Sequence, residues 1–497
     1  MLALTLGILV VYLSPMLRTG FLHDDALTST VRGVVGLRGH GFWHFAFHDL
    51  ARSIHRSGRG LPLLFVFGYG TFYVVGTHVL LYKVWLLLLT VAAFLAFWGA
   101  ARVLSVARGA AWPTLALLAA VPCLQLRTYH DSVVAYFGLL QVLIILLSIA
   151  IVLYAAHLRR NDVRPLIAAA AVFALACLVY EMVPLFAAVF VAVGLDHGKR
   201  VRDAIVRAWP LLAVAAVFVV VISVERSVAT IPNAAYAVHL SPRAASAGFA
   251  RQLAATIPLT FVLFDPLHQL PPFSMVVRHA LPVGLVLAVS AVTAAWLLLA
   301  DRGPSASSGD SPEPAHRPWW TLLALLLIPA AATCYVVKYQ GEVRWGLGYI
   351  QVIVQALAMG GLIASLLTLR RSAAGRAGAS VVLGVLVGLG YAANVATADV
   401  LVEVNRPRDA VERALHHGLL DRVPEHAAVR IAAGNWFTPA FVYMHTGRRV
   451  EARVGVPADY GGQPCREADA AKGGWVDVAV VVDLQTSRVR LSCPTRP

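Results

Sequence analysis

The sequence from residue 135 to residue 157 reads AYFGLLQVLIILLSIAIVLYAAH, and it decides the class of fold. It contains no Asp, Glu, Lys or Arg, and a helix of this length crosses the roughly 30 Å of hydrocarbon in a bilayer. Similar runs recur along the 497-residue chain, which is 59% hydrophobic and 13% charged. Soluble proteins carry about 25% charged residues, so the composition predicts an integral membrane protein.

Apolar segments of this kind predict an all-α polytopic membrane bundle with about eleven transmembrane helices. The predicted spans are 1–16, 79–101, 110–126, 135–157, 165–180, 183–195, 208–224, 280–300, 319–337, 346–369 and 378–397. Residues 61–78 are also apolar, but a further span there would reverse every later loop. We therefore predict a re-entrant or interfacial segment at 61–78. The transmembrane domain is predicted to cover residues 1–399, including outer loops at 17–78 and 225–279.

Basic residues predict the orientation of the bundle. The short loops on one side hold fourteen Lys and Arg residues, whereas three tight hairpins on the other hold only Arg127, Lys338 and Arg344. Cytoplasmic loops carry the excess of basic residues, so we predict a plasma-membrane protein with its N-terminus in the cytoplasm. The net charge of +15 follows from these loops and suits membrane lipids as partners, so nucleic acid is not predicted as a partner.

The polar C-terminal part, residues 400–497, is predicted to be a small α/β domain outside the cytoplasm, because the number of spans is odd. A short helix is predicted at 409–420. Clusters of β-branched residues predict three strands, at 429–432, 449–454 and 476–483. Cys465 and Cys493 both lie in this part and suit a disulfide in an oxidising compartment.

Two adjacent carboxylates, Asp24 and Asp25, follow directly on the first predicted span. Such a pair can hold a divalent cation, or it can divide the roles of base and ligand. The alternative is that one of them caps a helix over residues 26–35. Farther along the same loop, His40, His44 and His48 have helical spacing, which suits a metal site or, preferably, an amphipathic helix lying on the membrane.

Other polar side chains are predicted at the outer ends of the spans, and an ionisable residue near lipid is costly enough to indicate function. The candidate substrate-binding residues are Arg59, His130, Asp131, Tyr180, Glu181, Lys338 and Arg344. Arg59, in the first predicted outer loop, suits the phosphate of a lipid. For Glu181 the alternative is an interhelical salt bridge, for example with Arg127 or Lys338.

These features resemble the GT-C superfamily of membrane glycosyltransferases. The resemblance is carried by the acid pair after span one, the long first outer loop, the number of spans and the extracytoplasmic C-terminal domain; as a motif it covers only residues 20–62. It implies transfer of a sugar from a polyprenyl-phosphate donor to a cell-envelope glycan, lipid or protein. Asp24 or Asp25 would then be the catalytic base or a ligand of Mg²⁺ or Mn²⁺, with Asp25 as the metal candidate.

Two other classes of function are open on the sequence. A transporter or lipid flippase places ionisable groups near the middle of the bilayer, whereas the predicted spans here are nearly free of charge. An assembly protein would bind a partner through its C-terminal domain. The gathering of polar groups at one surface favours the enzyme.

Overall fold

The computed structural model describes most of the chain. The described residues are 1–105, 111–129, 131–231, 237, 239, 241–300, 318–369, 372–432, 434, 436–455, 465, 477–483 and 486–493. Within these ranges the chain is mostly helical and has one small sheet near the C-terminus, which confirms the predicted class of fold.

The helices and strands are numbered in chain order. The helices are α1 Leu2–Leu13, α2 His23–Thr28, α3 Val31–Arg38, α4 Phe42–Ser57, α5 Pro62–Val75, α6 Val79–Leu104, α7 Ala111–Ala120, α8 Leu139–Arg160, α9 Val163–Cys177, α10 Ala187–Asp196, α11 Val201–Ser227, α12 Pro242–Ala254, α13 Thr260–Phe264, α14 Phe273–Ala300, α15 Trp319–Cys334, α16 Val337–Glu342, α17 Val352–Leu367, α18 Ala373–His416 and α19 Pro439–Thr446. The strands are β1 Ala428–Ile431, β2 Glu451–Val454, β3 Asp477–Asp483 and β4 Arg488–Ser492.

Five of the helices described, α6, α8, α11, α14 and α18, are long and apolar enough to cross a membrane. The other six predicted spans coincide with apolar helices of 10–17 residues. The segment predicted as re-entrant or interfacial contains α5, a 14-residue helix, which is shorter than the roughly 20 residues that a spanning helix needs. The number of spans and the orientation of the termini remain predictions.

Contacts divide the chain into two compact units. The first unit comprises Met1–Leu17, Leu50–Leu64 and Lys83–Ala398, and the second comprises Arg18–Asp49, Phe65–Tyr82 and Asp399–Pro497. This grouping differs from a division of the sequence at residue 399, because two segments of the first predicted outer loop join the C-terminal residues. The predicted division into a membrane domain and an outer domain concerns the bilayer and stays a prediction.

The core of the first unit is built around α7, whose residues Trp112 to Ala120 are all buried. Helix α17 packs directly on α7 at Gly360, where an added Cβ would lie 2.6 Å from the carbonyl oxygen of Ala116 and the Cβ of Ala120. Apolar helices in lipid gain little from hydrophobic burial, so they associate through small residues that let their backbones approach closely. Gly360 therefore fixes the distance between these two helices.

The second unit contains a four-stranded sheet in the order β2-β1-β3-β4. Strand β1 pairs in parallel with β2 and β3, while β4 is antiparallel to β3. The three predicted strands are confirmed, and β4 was not predicted. Helix α19 connects β1 to β2, and its Phe441 is buried against Val429 and Val478 of the sheet. Cys465 and Cys493 form the predicted disulfide, with 5.0 Å between their Cα atoms.

The prediction of a separate helix at 409–420 is wrong. Residues up to His416 belong to α18, a continuous helix of 44 residues that begins at Ala373. The sequence changes from apolar to charged after Ala398, and that change suggested two elements. The backbone continues through it because charged residues such as Arg and Glu are good helix formers.

Substituting Gly360 tests the packing of α17 on α7. We expect Gly360→Leu to lower the stability of the protein by about 1–3 kcal/mol, because the new side chain has no room against the α7 backbone. Thermal unfolding of the purified protein in detergent measures this loss. Gly99→Leu in α6 is the matched control, since nothing lies within 4 Å of a Cβ at Gly99. Equal unfolding temperatures for the two variants would contradict the proposed role of Gly360.

Candidate functional site

In the first unit, the segment that carries Arg59 is held against the C-terminal end of α11. The carbonyl oxygens of His55 and Arg56 accept hydrogen bonds from the amides of Thr230 (2.9 Å) and Ile231 (3.0 Å). Gly58 has a φ of +66°, and a Cβ there would lie 2.6 Å from the Cα of Arg226. A residue with a side chain would push this segment away from α11, so glycine positions Arg59.

Glu181 is the centre of an ion-pair cluster, which we call the Glu181 cluster: Arg59, Glu181 and Arg226. The Nε of Arg59 donates to Oε1 of Glu181 at 2.9 Å, and Nη2 of Arg226 donates to Oε2 at 3.1 Å. The side chain of Glu181 is 10% exposed, so these charge-assisted bonds lie in a largely dry setting. The predicted salt-bridge alternative is thus correct for Glu181, but its partners are neither Arg127 nor Lys338.

A second carboxylate lies beside the Glu181 cluster. Oε2 of Glu225 accepts a hydrogen bond from the amide of Gly60 at 3.0 Å, next to Arg59 in the chain. Glu225 and Arg226 were not predicted as site residues. Their sequence signal is a pair of charges at the end of the long apolar run of α11, on the same predicted side as Arg59 and Glu181.

Tyrosines form a compact group next to Glu181. Tyr180 is buried, and its hydroxyl lies 3.1 Å from the hydroxyl of Tyr339 in α16. The ring of Tyr339 lies against that of Tyr349, with 4.1 Å between centroids. The structure therefore brings Tyr180 together with a tyrosine adjacent in sequence to Lys338. Lys338 itself is half-buried.

Arg344 and Asp131 have partners of their own within the first unit. Arg344 is exposed, and its Nη1 donates to the carbonyl oxygen of Pro266 at 2.9 Å. Asp131 is buried, and its two oxygens accept the amides of Arg127 and Val133, both at 2.7 Å. This geometry favours a structural role for Asp131 in shaping its own loop. His130 lies outside the described residues.

In the second unit, Asp24 and Asp25 lie in the first turn of α2, where the positive end of the helix dipole favours negative charge. Asp24 is exposed and Asp25 is buried. The hydroxyl of Tyr82 donates a hydrogen bond to Oδ2 of Asp25. The alternative interpretation of the pair as a helix N-cap is wrong, because α2 begins at His23 and its capping position is Leu22.

Arg408, on the charged part of α18, was not predicted as a site residue. Its side chain is buried and donates to the carbonyl oxygen of Ala26 at 2.8 Å and to Oγ of Ser29 at 2.7 Å. Burial lowers the pKa of Arg408 to about 10, while Glu412 is the strongest of the acids that oppose this shift. The guanidinium therefore remains charged at neutral pH and supports the residues directly after Asp25.

A divalent cation at the acid pair would need further ligands from the side chains around Asp24 and Asp25. Mg²⁺ and Mn²⁺ prefer several oxygen ligands around one centre. Among the residues that the structure describes, Asp24 and Asp25 belong to no group of three or more side chains that could share a metal ion. A divalent cation at Asp25 stays a prediction, and no step of the proposed chemistry is assigned to it.

The three histidines of the first outer loop form an exposed row. The centroids of His40 and His44 are 4.5 Å apart, and those of His44 and His48 are 6.2 Å apart. His44 and His48 lie on α4, whose Trp43 and Phe47 are exposed. No metal-binding group that includes these histidines is found among the described side chains. An amphipathic helix on the membrane surface remains our prediction for α4.

The predicted site residues fall into two sets. Arg59, Tyr180, Glu181, Lys338 and Arg344 belong to the first unit, and the structure brings Arg59 into contact with Glu181. Asp24 and Asp25 belong to the second unit, together with the tyrosine and arginine that surround them. Each set is organised by contacts within its own unit.

No family model matches the chain, and no curated protein matches it. Among solved structures, the chain is similar to the crystal structure of ArnT from Cupriavidus metallidurans bound to undecaprenyl phosphate. The identity is 12% and the TM-score 0.42, over 99% of this chain and 97% of that chain. The crystal structure of ArnT from Cupriavidus metallidurans in the apo state is similar at 12% identity and a TM-score of 0.38, over 97% of this chain and 96% of that chain.

Proposed function

We propose that this protein is a membrane glycosyltransferase that moves a sugar from a polyprenyl-phosphate donor to a cell-envelope acceptor on the outer face of the membrane. The observation that carries the proposal is the state of Asp25, which is withdrawn from solvent and oriented by the hydroxyl of Tyr82. A carboxylate that acts as a base needs such an orientation, because its oxygen must be aimed at the proton that it removes.

In the proposed reaction, the carboxylate of Asp25 or of its exposed neighbour Asp24 removes the proton of an acceptor hydroxyl. The hydroxyl oxygen attacks the anomeric carbon on the face opposite the phosphate. The bond between that carbon and the phosphate oxygen breaks, polyprenyl phosphate leaves, and the anomeric configuration is inverted. The structural support for this step is that the two acids are adjacent in the first turn of α2, with Asp24 exposed and Asp25 buried.

Cations are needed to bind the lipid phosphate and to stabilise the charge that develops as it leaves. Arg59 is our first candidate, because Glu181 orients its guanidinium and the two flanking glycines let its backbone lie close to α11. Arginine also matches the planar, bidentate geometry of phosphate oxygens. Lys338 and Arg344 remain further candidates from the sequence, and Arg226 joins them because it shares the carboxylate of Glu181.

Substituting the acids tests the proposed base. We expect Asp25→Asn or Asp24→Asn to lower the rate of transfer by about 10²–10⁴-fold, because a neutral amide cannot accept the acceptor's proton. Release of polyprenyl phosphate from a panel of polyprenyl-phosphate sugars measures the rate. The anomeric configuration of the product tests inversion.

The control is a second buried aspartate with a tyrosine partner. Asp49 accepts a hydrogen bond from the hydroxyl of Tyr69 at 2.5 Å, in the same compact unit as Asp25. Asp49→Asn makes the same change in a similar setting and should retain transfer activity. Full activity in both Asp24→Asn and Asp25→Asn would exclude the proposed base. Movement of the lipid across the membrane without release of polyprenyl phosphate would favour a flippase.

Arg59→Gln tests the proposed phosphate contact. A hydrogen bond to a charged group is worth about 1.5–3 kcal/mol, so we expect the KM for the donor to rise by about 10–100-fold. The kcat should change less, because the phosphate is bound in the ground state as well as in the transition state. Steady-state kinetics with varied donor concentration separate the two parameters.

Arg207→Gln is the control for Arg59→Gln. Arg207 also lies in the first unit and donates to a side chain, the Oδ1 of Asn161 at 3.0 Å, but it is predicted on the cytoplasmic side. The Arg207→Gln substitution should leave the KM for the donor unchanged. An unchanged KM in Arg59→Gln as well would show that Arg59 does not bind the phosphate.

A further inference from the structure

The last turns of α18 and α19 bring three metal-ligating side chains together in the second unit. Glu412 and His416 are four residues apart on α18, so they lie on the same face of the helix. His445 lies in the last turn of α19. One nitrogen of each histidine and one carboxylate oxygen of Glu412 lie within 4.8 Å of one another.

The contacts inside this trio leave one buried atom without a partner. Nδ1 of His445 lies 3.1 Å from Nε2 of His416. Nε2 of His445 lies 3.9 Å from Oε1 of Glu412, too far for a hydrogen bond, and has no hydrogen-bond partner among the described residues. The side chain of His445 is only 1% exposed. An unpaired polar atom this deeply buried is costly, and a ligand that occupies the trio would remove that cost.

We propose that Glu412, His416 and His445 form a binding site for a divalent transition-metal ion, with zinc as the probe. Two imidazoles and one carboxylate are a ligand set that zinc accepts, with a water molecule in the fourth position. The trio shares no residue with the acid pair, and the proposal does not depend on the glycosyltransferase reaction.

The distances suit this assignment after a small adjustment. Zinc bonds to nitrogen or oxygen at about 2.0–2.2 Å, so neighbouring ligand atoms of a tetrahedral site are roughly 3.4 Å apart. With Nε2 of His445 as the ligand atom, its distance of 3.9 Å to Oε1 of Glu412 has to shorten by about 0.5 Å. The three ligand atoms lie within 4.8 Å of one another, so no pair has to approach by more than about 1.4 Å. Glu412 is half-buried and His416 is exposed at the end of α18, so the carboxylate has room to move and a metal ion can enter from solvent.

Charges around the trio both oppose and support a cation. Arg408 lies one helical turn before Glu412 and opposes the cation, although its two terminal nitrogens donate to Ala26 and Ser29. The carboxylate of Glu412 supports the cation, because it brings a negative charge to the trio.

A metal ion at this position would link α19 to the end of α18. Helix α3 packs closely on α19, because a Cβ at Gly33 would lie 2.0 Å from the carbonyl oxygen of Ala440. The ion would therefore stabilise α19. It would also stabilise the packing of α3, which follows the acid pair in the chain, on α19. Such a role predicts an effect on stability as well as on binding.

The test is zinc binding by the purified full-length protein after treatment with a chelator. The unchanged protein should bind zinc in competition with a chromophoric chelator, and zinc should raise its unfolding temperature. We expect Glu412→Gln and His416→Ala to weaken zinc binding by about tenfold or more and to lose the rise in unfolding temperature. His416 is exposed, so its substitution should not disturb the fold.

His417→Ala is the matched control, because it shows whether a histidine outside the trio contributes to zinc binding. His417 is exposed and directly follows His416, and its Nδ1 is bonded to the carbonyl oxygen of Arg413. It should bind zinc like the unchanged protein. Equal zinc affinity in the unchanged protein and in His416→Ala would overturn the proposal, as would an equal loss of affinity in His417→Ala. Cobalt substitution provides a second readout, because its absorption spectrum reports tetrahedral imidazole ligation.

Discussion

The constraint on which the first unit depends is that every buried backbone amide and carbonyl needs a partner where water is absent. Helices meet this need internally, but the buried, irregular segment between α7 and α8 cannot. Side chains from elsewhere supply the missing bonds. Asn394 of α18 accepts the amide of Leu126 and donates to the carbonyl oxygen of Tyr12. Gln125 donates to the carbonyl oxygen of Ile257 and accepts the amide of Phe261.

The same constraint explains two buried cations in this part of the protein. Arg127 donates to the carbonyl oxygens of Gln125, Ala255 and Gly346, and Lys83 donates to that of Val134. Arg127 was a possible partner of Glu181 on the sequence. These bonds to backbone carbonyls hold the irregular chain in place. Arg59 differs, because its described partner is the carboxylate of Glu181.

The second unit also contains a buried cation, but there it lies in a small domain with a sheet. Arg408 stacks over the rings of Phe21, Phe441 and Trp436, at 4.8, 5.4 and 5.9 Å from their centroids. It thereby joins the chain that follows the first helix to the C-terminal α/β fold. Its partners Ala26 and Ser29 follow Asp25 in the chain, and Phe441 lies on the same helix as the proposed metal ligand His445.

The sequence by itself determined the membrane class, the apolar helices, three of the four strands that the structure describes and the disulfide pair. Length of apolar runs and clustering of β-branched residues are local properties, so they can be read without knowing the fold. Only the tertiary structure decided which residues contact one another across long stretches of sequence. Arg59 meets Glu181 across 122 residues and Arg408 meets Ala26 across 382, and neither pairing has a local signature. The continuity of α18 was missed for a different reason, because the change from apolar to charged residues after Ala398 suggested two elements although charged residues also favour helix.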